Sequence, residues 1–212
     1  MSKMFEEVTR IRTDWAKGDA ERDAGLTVPE GLIRHLDIPY GEDPMQKLDV
    51  YYPEGTEKAL PTIISIHGGG WVYGSKELYS HYCMDLAKRG FTVVNFNYRL
   101  APEHKYPAPL QDSCAVMRWM MENASQYFID LRNVFMLGGS AGGQLCHQVV
   151  DGMQTKIQCN TVSKLIALLI FPVGRGILKL QRPIGNGQIE IIGIGNARQI
   201  GDLGHQRAVI TA

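Results

Sequence analysis

The 212-residue sequence predicts an α/β fold in which a mostly parallel sheet carries helices on both faces. Short runs of β-branched and other apolar residues alternate along the chain with segments whose apolar residues recur at helical spacing. Several of the short runs are apolar throughout, which is typical of strands that are buried on both faces of a parallel sheet. The length is that of a single domain.

The first predicted element is a helix at residues 5–20. Its apolar residues stand at helical spacing and form one stripe, at Phe5, Val8, Ile11 and Trp15. The stripe predicts that the helix lies on another part of the protein. Residues 48–52 alternate between apolar and polar side chains and predict a strand.

The middle of the chain continues the alternation. Strands are expected at residues 61–66, 91–96, 134–137 and 165–171, and helices at 78–89, 110–123 and 141–150. Gly90 follows the first of these helices at the position where glycine commonly ends one.

The composition changes after Phe171. The remaining 41 residues contain eight glycines, eight isoleucines and no aromatic residue, which is a poor composition for completing a packed α/β domain. We therefore divide the chain into an N-terminal helical cap segment (1–45), an α/β core (46–173) and an atypical tail of uncertain fold (174–212).

Charge and hydropathy exclude several classes of protein. Lysine plus arginine and aspartate plus glutamate both total 22, so no single-sign field favours binding to nucleic acid or to an anionic membrane. The charged N-terminus does not resemble a signal peptide, and the longest apolar run is too short to cross a bilayer. A cytoplasmic protein is expected, and its four cysteines, without CxxC spacing, are expected to be buried thiols.

The segment Gly-Gly-Ser-Ala-Gly at residues 138–142 fits the pattern G-x-S-x-G. A strand is predicted before it and a helix after it, which is the context of a nucleophile elbow. Because the chain turns sharply there, the positions two before and two after Ser140 must be small. We predict that Ser140 is a nucleophile at the N-terminus of a helix, although a strand-to-helix turn that happens to contain serine would look the same.

The segment His-Gly-Gly-Gly-Trp at residues 67–71 follows a predicted buried strand. An acyl-transfer intermediate needs backbone N–H donors both from the residue after the nucleophile and from a loop after an early strand. We therefore predict an oxyanion hole formed by Gly68, Gly69, Gly70 and Ala141. A flexible glycine turn is the alternative interpretation.

These two motifs, with the run Asn-Tyr-Arg-Leu-Ala-Pro-Glu-His-Lys-Tyr-Pro-Ala-Pro-Leu-Gln-Asp at 97–112, resemble the hormone-sensitive-lipase family of α/β-hydrolases, which includes acetyl-esterase-like bacterial carboxylesterases. The resemblance covers about residues 48–150. It implies a serine esterase for short acyl chains that uses no cofactor, with the helix at 5–20 in a cap over the site. The implied partner is a small-molecule ester, without nucleic acid or membrane, and whether the chain forms a homodimer stays open.

The serine also needs a histidine base and an acid, which follow it in this fold in the order serine, acid, histidine. Asp202 and His205 have that order but are three residues apart, and His147 lies two turns along the helix after Ser140. We take Asp202 and His205 as the candidates. Two alternatives stay open. In one, the fold is incomplete at its C-terminus, through truncation or a foreign tail. In the other, the chain is a non-catalytic relative that binds small molecules or partners, and in either case it would hydrolyse esters feebly at best.

Other motifs are not supported. The glycines from Gly69 onwards resemble a phosphate loop, but Ser75 stands in the place of its lysine. His35, His81 and His104 lack the spacing of metal ligands, so no metal is expected. Charged residues between 97 and 112 are expected to tie loops together rather than act on substrate; they are Arg99, Glu103 and Asp112.

Overall fold

The computed structural model describes residues 3–155, 165–170, 178–184, 188–194 and 208–209. The described strands are β1 (Leu32–Pro39), β2 (Lys47–Pro53), β3 (Leu60–Ile66), β4 (Thr92–Phe96), β5 (Ile129–Gly139), β6 (Leu165–Ile170), β7 (Leu178–Ile184), β8 (Gln188–Ile194) and β9 (Ala208–Val209). The helices are α1 (Lys3–Asp23), α2 (Ser80–Lys88), α3 (Ala108–Asn123) and α4 (Ala141–Thr155), with a 3-10 helix at Lys76–Tyr79.

These strands form one sheet in the order β1-β2-β4-β3-β5-β6-β7-β8-β9. Its centre, β4-β3-β5-β6, is parallel, and the pairs on both flanks are antiparallel. The predicted α/β fold is confirmed, and the antiparallel flanks are an addition to it. Because β3 and β5 are parallel neighbours, the loops that follow their carboxyl ends lie side by side.

The core is divided between the two faces of the sheet. Alternate residues of one strand point to opposite faces, so Ile63 packs against α2 while Ile64 packs against α3 and α4. The larger cluster, on the side of α3 and α4, includes Phe96, Met136 and Leu145. Helices therefore cover both faces, as the sequence predicts.

Strand β1 lies within the segment predicted as a helical cap and was not recognised from its sequence. It pairs antiparallel with β2, with an irregularity in register between His35 and Ile38. Most of its residues are half-buried or exposed, in keeping with its place at the edge of the sheet. Ile33 and Ile38 pack against the larger core cluster, and pairing with β2 also holds the strand, although its apolar residues do not alternate regularly.

Helix α1 forms where it was predicted, but its apolar stripe is only partly covered. Val8 is buried, while Phe5 remains 39% and Trp15 47% exposed. Arg12 attaches the helix to the domain: it donates hydrogen bonds to the carbonyl oxygens of Val72, at 2.8 Å, and Ala101, at 3.0 Å. Apolar and polar contacts therefore both hold this helix to the domain.

The tail predicted at 174–212 contributes β7, β8 and β9 to the sheet within its described part. Asp202 and His205 lie outside the described residues. None of the helices in the described ranges has both the length and the apolar character needed to cross a membrane.

Candidate active site

Ser140 occupies a single-residue turn between a strand and a helix. Strand β5 ends at Gly139 and helix α4 begins at Ala141. Ser140 adopts a left-handed backbone conformation, with φ of +51°. This conformation is unfavourable for a residue with a Cβ, and such strain is concentrated at functional sites. The turn has the form of the predicted nucleophile elbow.

The glycines on either side of Ser140 are required by close backbone contacts. A Cβ added at Gly138 would overlap the carbonyl group of Gly142. A Cβ at Gly142 would overlap the carbonyl oxygen of Ile66 and lie 2.6 Å from that of His67. Since backbone atoms cannot move aside as side chains do, alanine does not fit at either position. Gly142 thus packs the elbow directly against the end of β3, where the other motif begins.

The loop that follows β3 turns tightly on its glycines. Gly69 has φ of +118°, and its carbonyl oxygen accepts hydrogen bonds from the N–H groups of Val72, at 3.2 Å, and Tyr73, at 3.0 Å. A Cβ at Gly69 would overlap the carbonyl group of Tyr73. The loop is therefore a closed turn of definite shape, which argues against the alternative of a flexible glycine segment.

Ser140 and this loop line the same cavity, whose volume is about 540 Å³. Gly68, Gly69 and Gly70 form part of its wall, and Gly139 adjoins the serine. Of the predicted donors, Gly68 already has a partner, because its N–H donates to the Tyr79 hydroxyl at 3.1 Å. Gly69, Gly70 and Ala141 remain the candidates whose N–H groups can bind an oxyanion.

His67, at the start of the loop, is a buried structural residue. Its ring stacks on Tyr98, with centroids 4.1 Å apart, and its Nδ1 lies 2.7 Å from the carbonyl oxygen of Gly68. Burial lowers the pKa of His67 to about 4, so the ring is neutral at physiological pH. This histidine lies beneath the loop and shapes it.

Helix α1 lines the same cavity, through residues that include Trp15 and Asp19. Trp15 meets Tyr73 edge to face, with ring centroids 5.6 Å apart, and the Tyr73 hydroxyl donates to Asp19. Arg12, which binds the Val72 carbonyl, also forms a two-pronged ion pair with Glu103. That this helix serves as a cap over the site stays a prediction from the resemblance.

The charged residues of the 97–112 segment form structural ion pairs. Arg99 Nη2 lies 2.8 Å from Oδ1 of the buried Asp112, whose other oxygen accepts the Arg99 N–H at 2.8 Å. Gln46 also donates to Asp112, at 2.8 Å. Glu103 pairs with Arg12 of α1. Arg99, Glu103 and Asp112 therefore tie loops together, as expected.

A second charged cluster, centred on Lys76, was not recognised from the sequence. The buried ammonium of Lys76 lies 2.9 Å from Asp49, 3.0 Å from Asp37 and 2.7 Å from Glu77. Asn97 accepts the Lys76 N–H at 2.6 Å. The cluster fixes the start of the 3-10 helix to the sheet. Its residues come from four parts of the chain and share no local pattern, so the sequence carried no signal for it.

The described lining of the cavity contains Ser140 but no histidine. The candidate acid and base, Asp202 and His205, lie outside the described residues. His147 is exposed on α4. The structure thus brings together the serine, the glycine loop and helix α1, and it leaves Asp202 and His205 as predictions from the sequence.

Residues 48–163, which contain both motifs, match the model of the BD-FAE family. Carboxylesterase NlhH of Mycobacterium tuberculosis is 34% identical over 143 residues, which cover 66% of this chain and 42% of that protein. The versiconal hemiacetal acetate esterase of Dothistroma septosporum is 33% identical over 137 residues, covering 64% of this chain and 42% of that protein.

Solved structures agree with the sequence matches. The inhibited esterase B from Lactobacillus rhamnosis superposes with a TM-score of 0.69 at 35% identity, covering 73% of this chain and 51% of that chain. The chain spans about half or less of the length of each of these proteins.

Proposed function

The chain belongs to the BD-FAE family and has the α/β-hydrolase fold of the hormone-sensitive-lipase esterases, and on that premise we propose that it functions as a serine carboxylesterase. The proposed reaction is hydrolysis of short-chain acyl esters through an acyl-enzyme at Ser140. One observation supports it above the others: Ser140, in a left-handed turn, shares a cavity with the glycine loop at 68–70.

In the proposed reaction, Ser140 Oγ attacks the ester carbonyl carbon and its proton passes to a base. The negative charge that develops on the carbonyl oxygen is stabilised by N–H groups of Gly69, Gly70 and Ala141. The C–O bond to the alcohol then breaks, and the alcohol leaves with the proton. Water repeats the sequence on the acyl-enzyme and releases the acid. We assign the base to His205 and its supporting carboxylate to Asp202, following their order in the chain.

The short acyl chain is proposed from the resemblance to the acetyl-esterase-like carboxylesterases. The cavity, of about 540 Å³ and lined in part by the glycine loop, Trp15 and Tyr73, has the size of an ordinary small-molecule site. The name of the Dothistroma septosporum relative, an acetate esterase, is consistent with a short acyl group.

A second function is a binding module without turnover. It is favoured by the described part of the cavity lining, which has a serine but no histidine. Without a base, the oxyanion hole and substrate binding still accelerate hydrolysis by about 10³ to 10⁴ over water, against a loss of roughly 10⁶ in turnover. This module would hydrolyse esters slowly and independently of the serine.

Two measurements separate these functions. The first is the intact mass of the protein after exposure to a fluorophosphonate: the proposal expects one adduct, absent from Ser140→Ala. The second is hydrolysis of an activated acetate ester, which Ser140→Ala should lower by several powers of ten. An unlabelled parent that hydrolyses no faster than Ser140→Ala contradicts the esterase and supports the binding module. His205→Ala tests the base separately. Its hydrolysis rate should fall to that of Ser140→Ala if His205 is the base, and should stay at that of the parent if it is not.

A further inference from the structure

The hydroxyl of Tyr79 lies where the glycine loop meets the nucleophile elbow. Tyr79 ends the 3-10 helix and lines the same cavity as Ser140. Its oxygen accepts the N–H of Gly68 at 3.1 Å. On the other side, a Cβ added at Gly139 would lie 2.6 Å from the same oxygen. The hydroxyl thus fills the space that any side chain at position 139 would occupy.

The two segments that meet at this hydroxyl carry the candidate oxyanion donors. Gly69 and Gly70 belong to the loop after β3, and Ala141 follows the elbow after β5. Strand pairing brings Ile66 beside Gly138 but leaves the loop beyond Ile66 outside the ladder. A carbonyl oxygen that becomes negative gains most from donors already in position, and displacements well below 1 Å weaken that effect. The loop therefore needs a further attachment to the elbow.

We propose that Tyr79 is a positioning residue that holds the glycine loop against the nucleophile elbow through its hydroxyl. The hydroxyl uses the Gly68 N–H as its attachment point, so that the N–H groups of Gly69 and Gly70 converge with that of Ala141. The absence of a side chain at Gly139 is the matching half of this arrangement. The inference rests on the proposed function, because it concerns the same oxyanion hole. Burial also raises the pKa of Tyr79, so the hydroxyl stays neutral at physiological pH.

The contact allows a double-mutant cycle. Tyr79→Phe removes the oxygen but keeps the ring. Gly139→Ala introduces a Cβ that displaces the hydroxyl. In the combined variant the nearest ring atom, Cζ, is 3.6 Å from that Cβ, an ordinary contact distance, so alanine fits once the oxygen is gone. The second substitution should therefore add nothing to the first.

The readout is the rate at which a fluorophosphonate labels Ser140, separated into the maximal rate of labelling and the concentration that gives half of it. We expect Tyr79→Phe to lower the maximal rate about three- to tenfold, the range of one hydrogen bond, with the half-saturating concentration unchanged. The double variant should match Tyr79→Phe within about twofold. Tyr82→Phe, which removes a hydroxyl from the neighbouring helix α2, is the matched control and should label like the parent.

The proposal is overturned if the effects of Tyr79→Phe and Gly139→Ala on the maximal rate of labelling add up in the double variant, since the hydroxyl would then not be the element that both substitutions disturb. It is also overturned if Tyr79→Phe raises only the half-saturating concentration of the fluorophosphonate. Amide hydrogen exchange of the 67–70 segment gives a test that needs no reactivity. Tyr79→Phe should speed exchange there because the Gly68 N–H loses its acceptor, and unchanged exchange would contradict the positioning role. If the parent itself is not labelled while this exchange does change, the proposed function fails and the attachment by Tyr79 stands.

Discussion

The buried imidazole of His67 makes the stability of the domain depend on pH. Burial lowers its pKa to about 4, against 6.5 for a free histidine. The unfolded chain therefore binds a proton at His67 more tightly than the folded chain does. The stability contributed by the neutral ring is complete above pH 6.5 and is lost as the pH falls toward about 4. At about 1.4 kcal/mol for each tenfold change in proton affinity, the complete loss is about 3 kcal/mol.

This prediction is tested by urea unfolding at a series of pH values. We expect the free energy of unfolding to fall by about 2 kcal/mol between about pH 7 and pH 5 because of this group. His67→Asn keeps a side-chain N–H that can donate to the Gly68 carbonyl but does not titrate. It should lower stability overall, yet abolish most of the dependence on pH in this range. His81→Asn, at a half-buried position on α2, keeps the His67 ring and should retain the dependence of the parent.

Carboxylates with lowered pKa values, such as Asp130 and Glu103, do not produce the same pH dependence, because their contribution to the free energy of unfolding is lost below about pH 5. If His67→Asn and the parent lose stability equally between about pH 7 and pH 5, the buried ring is not the group responsible. The argument that burial keeps His67 neutral would then be wrong.

Two further predictions concern the contacts that hold the loops. Lys76→Met leaves the buried carboxylate of Asp49 without its cation, so the free energy of unfolding should fall by about 3 to 5 kcal/mol. Lys58→Met, at an exposed position, should change the free energy of unfolding little. Equal effects of the two substitutions in urea unfolding would contradict the argument from burial. Arg12→Ala removes the attachment of α1 to the Val72 carbonyl, and because the pair with its carboxylate is partly exposed, global stability should fall by about 1 kcal/mol or less. Limited proteolysis should nevertheless cut α1 faster than in the parent, and an unchanged rate of cleavage would show that other contacts hold the helix.

The parts of the site that the sequence predicted are those with local steric rules. A strand, a turn with glycine two residues before and two after the serine, and a helix can be recognised together, because the close contact of Gly138 with the carbonyl group of Gly142 tolerates no side chain. The fold class followed in the same way from buried strands alternating with helices. Neither prediction needed knowledge of which distant residues are in contact.

The parts that were missed depend on such contacts. Strand β1 has apolar residues without a regular alternation, none of its residues is fully buried, and pairing with β2 holds it in place. Lys76 looks like any surface lysine in the sequence, yet it is buried because carboxylates from two strands converge on it. Arg12 of α1 has the same character, because its partners Val72 and Glu103 lie 60 and 91 residues away along the chain.

The proposed oxyanion donors show where a motif stops being sufficient. A run of glycines identifies backbone that can come close to a substrate, and Gly68 meets that requirement as well as Gly69 and Gly70 do. Which N–H is available depends on what else it can bind, and the Tyr79 hydroxyl takes the N–H of Gly68 from a position 11 residues further along the chain. Since an N–H that already has an acceptor is a poor donor to a second one, the motif supplies the candidates and the tertiary contact selects Gly69 and Gly70 among them.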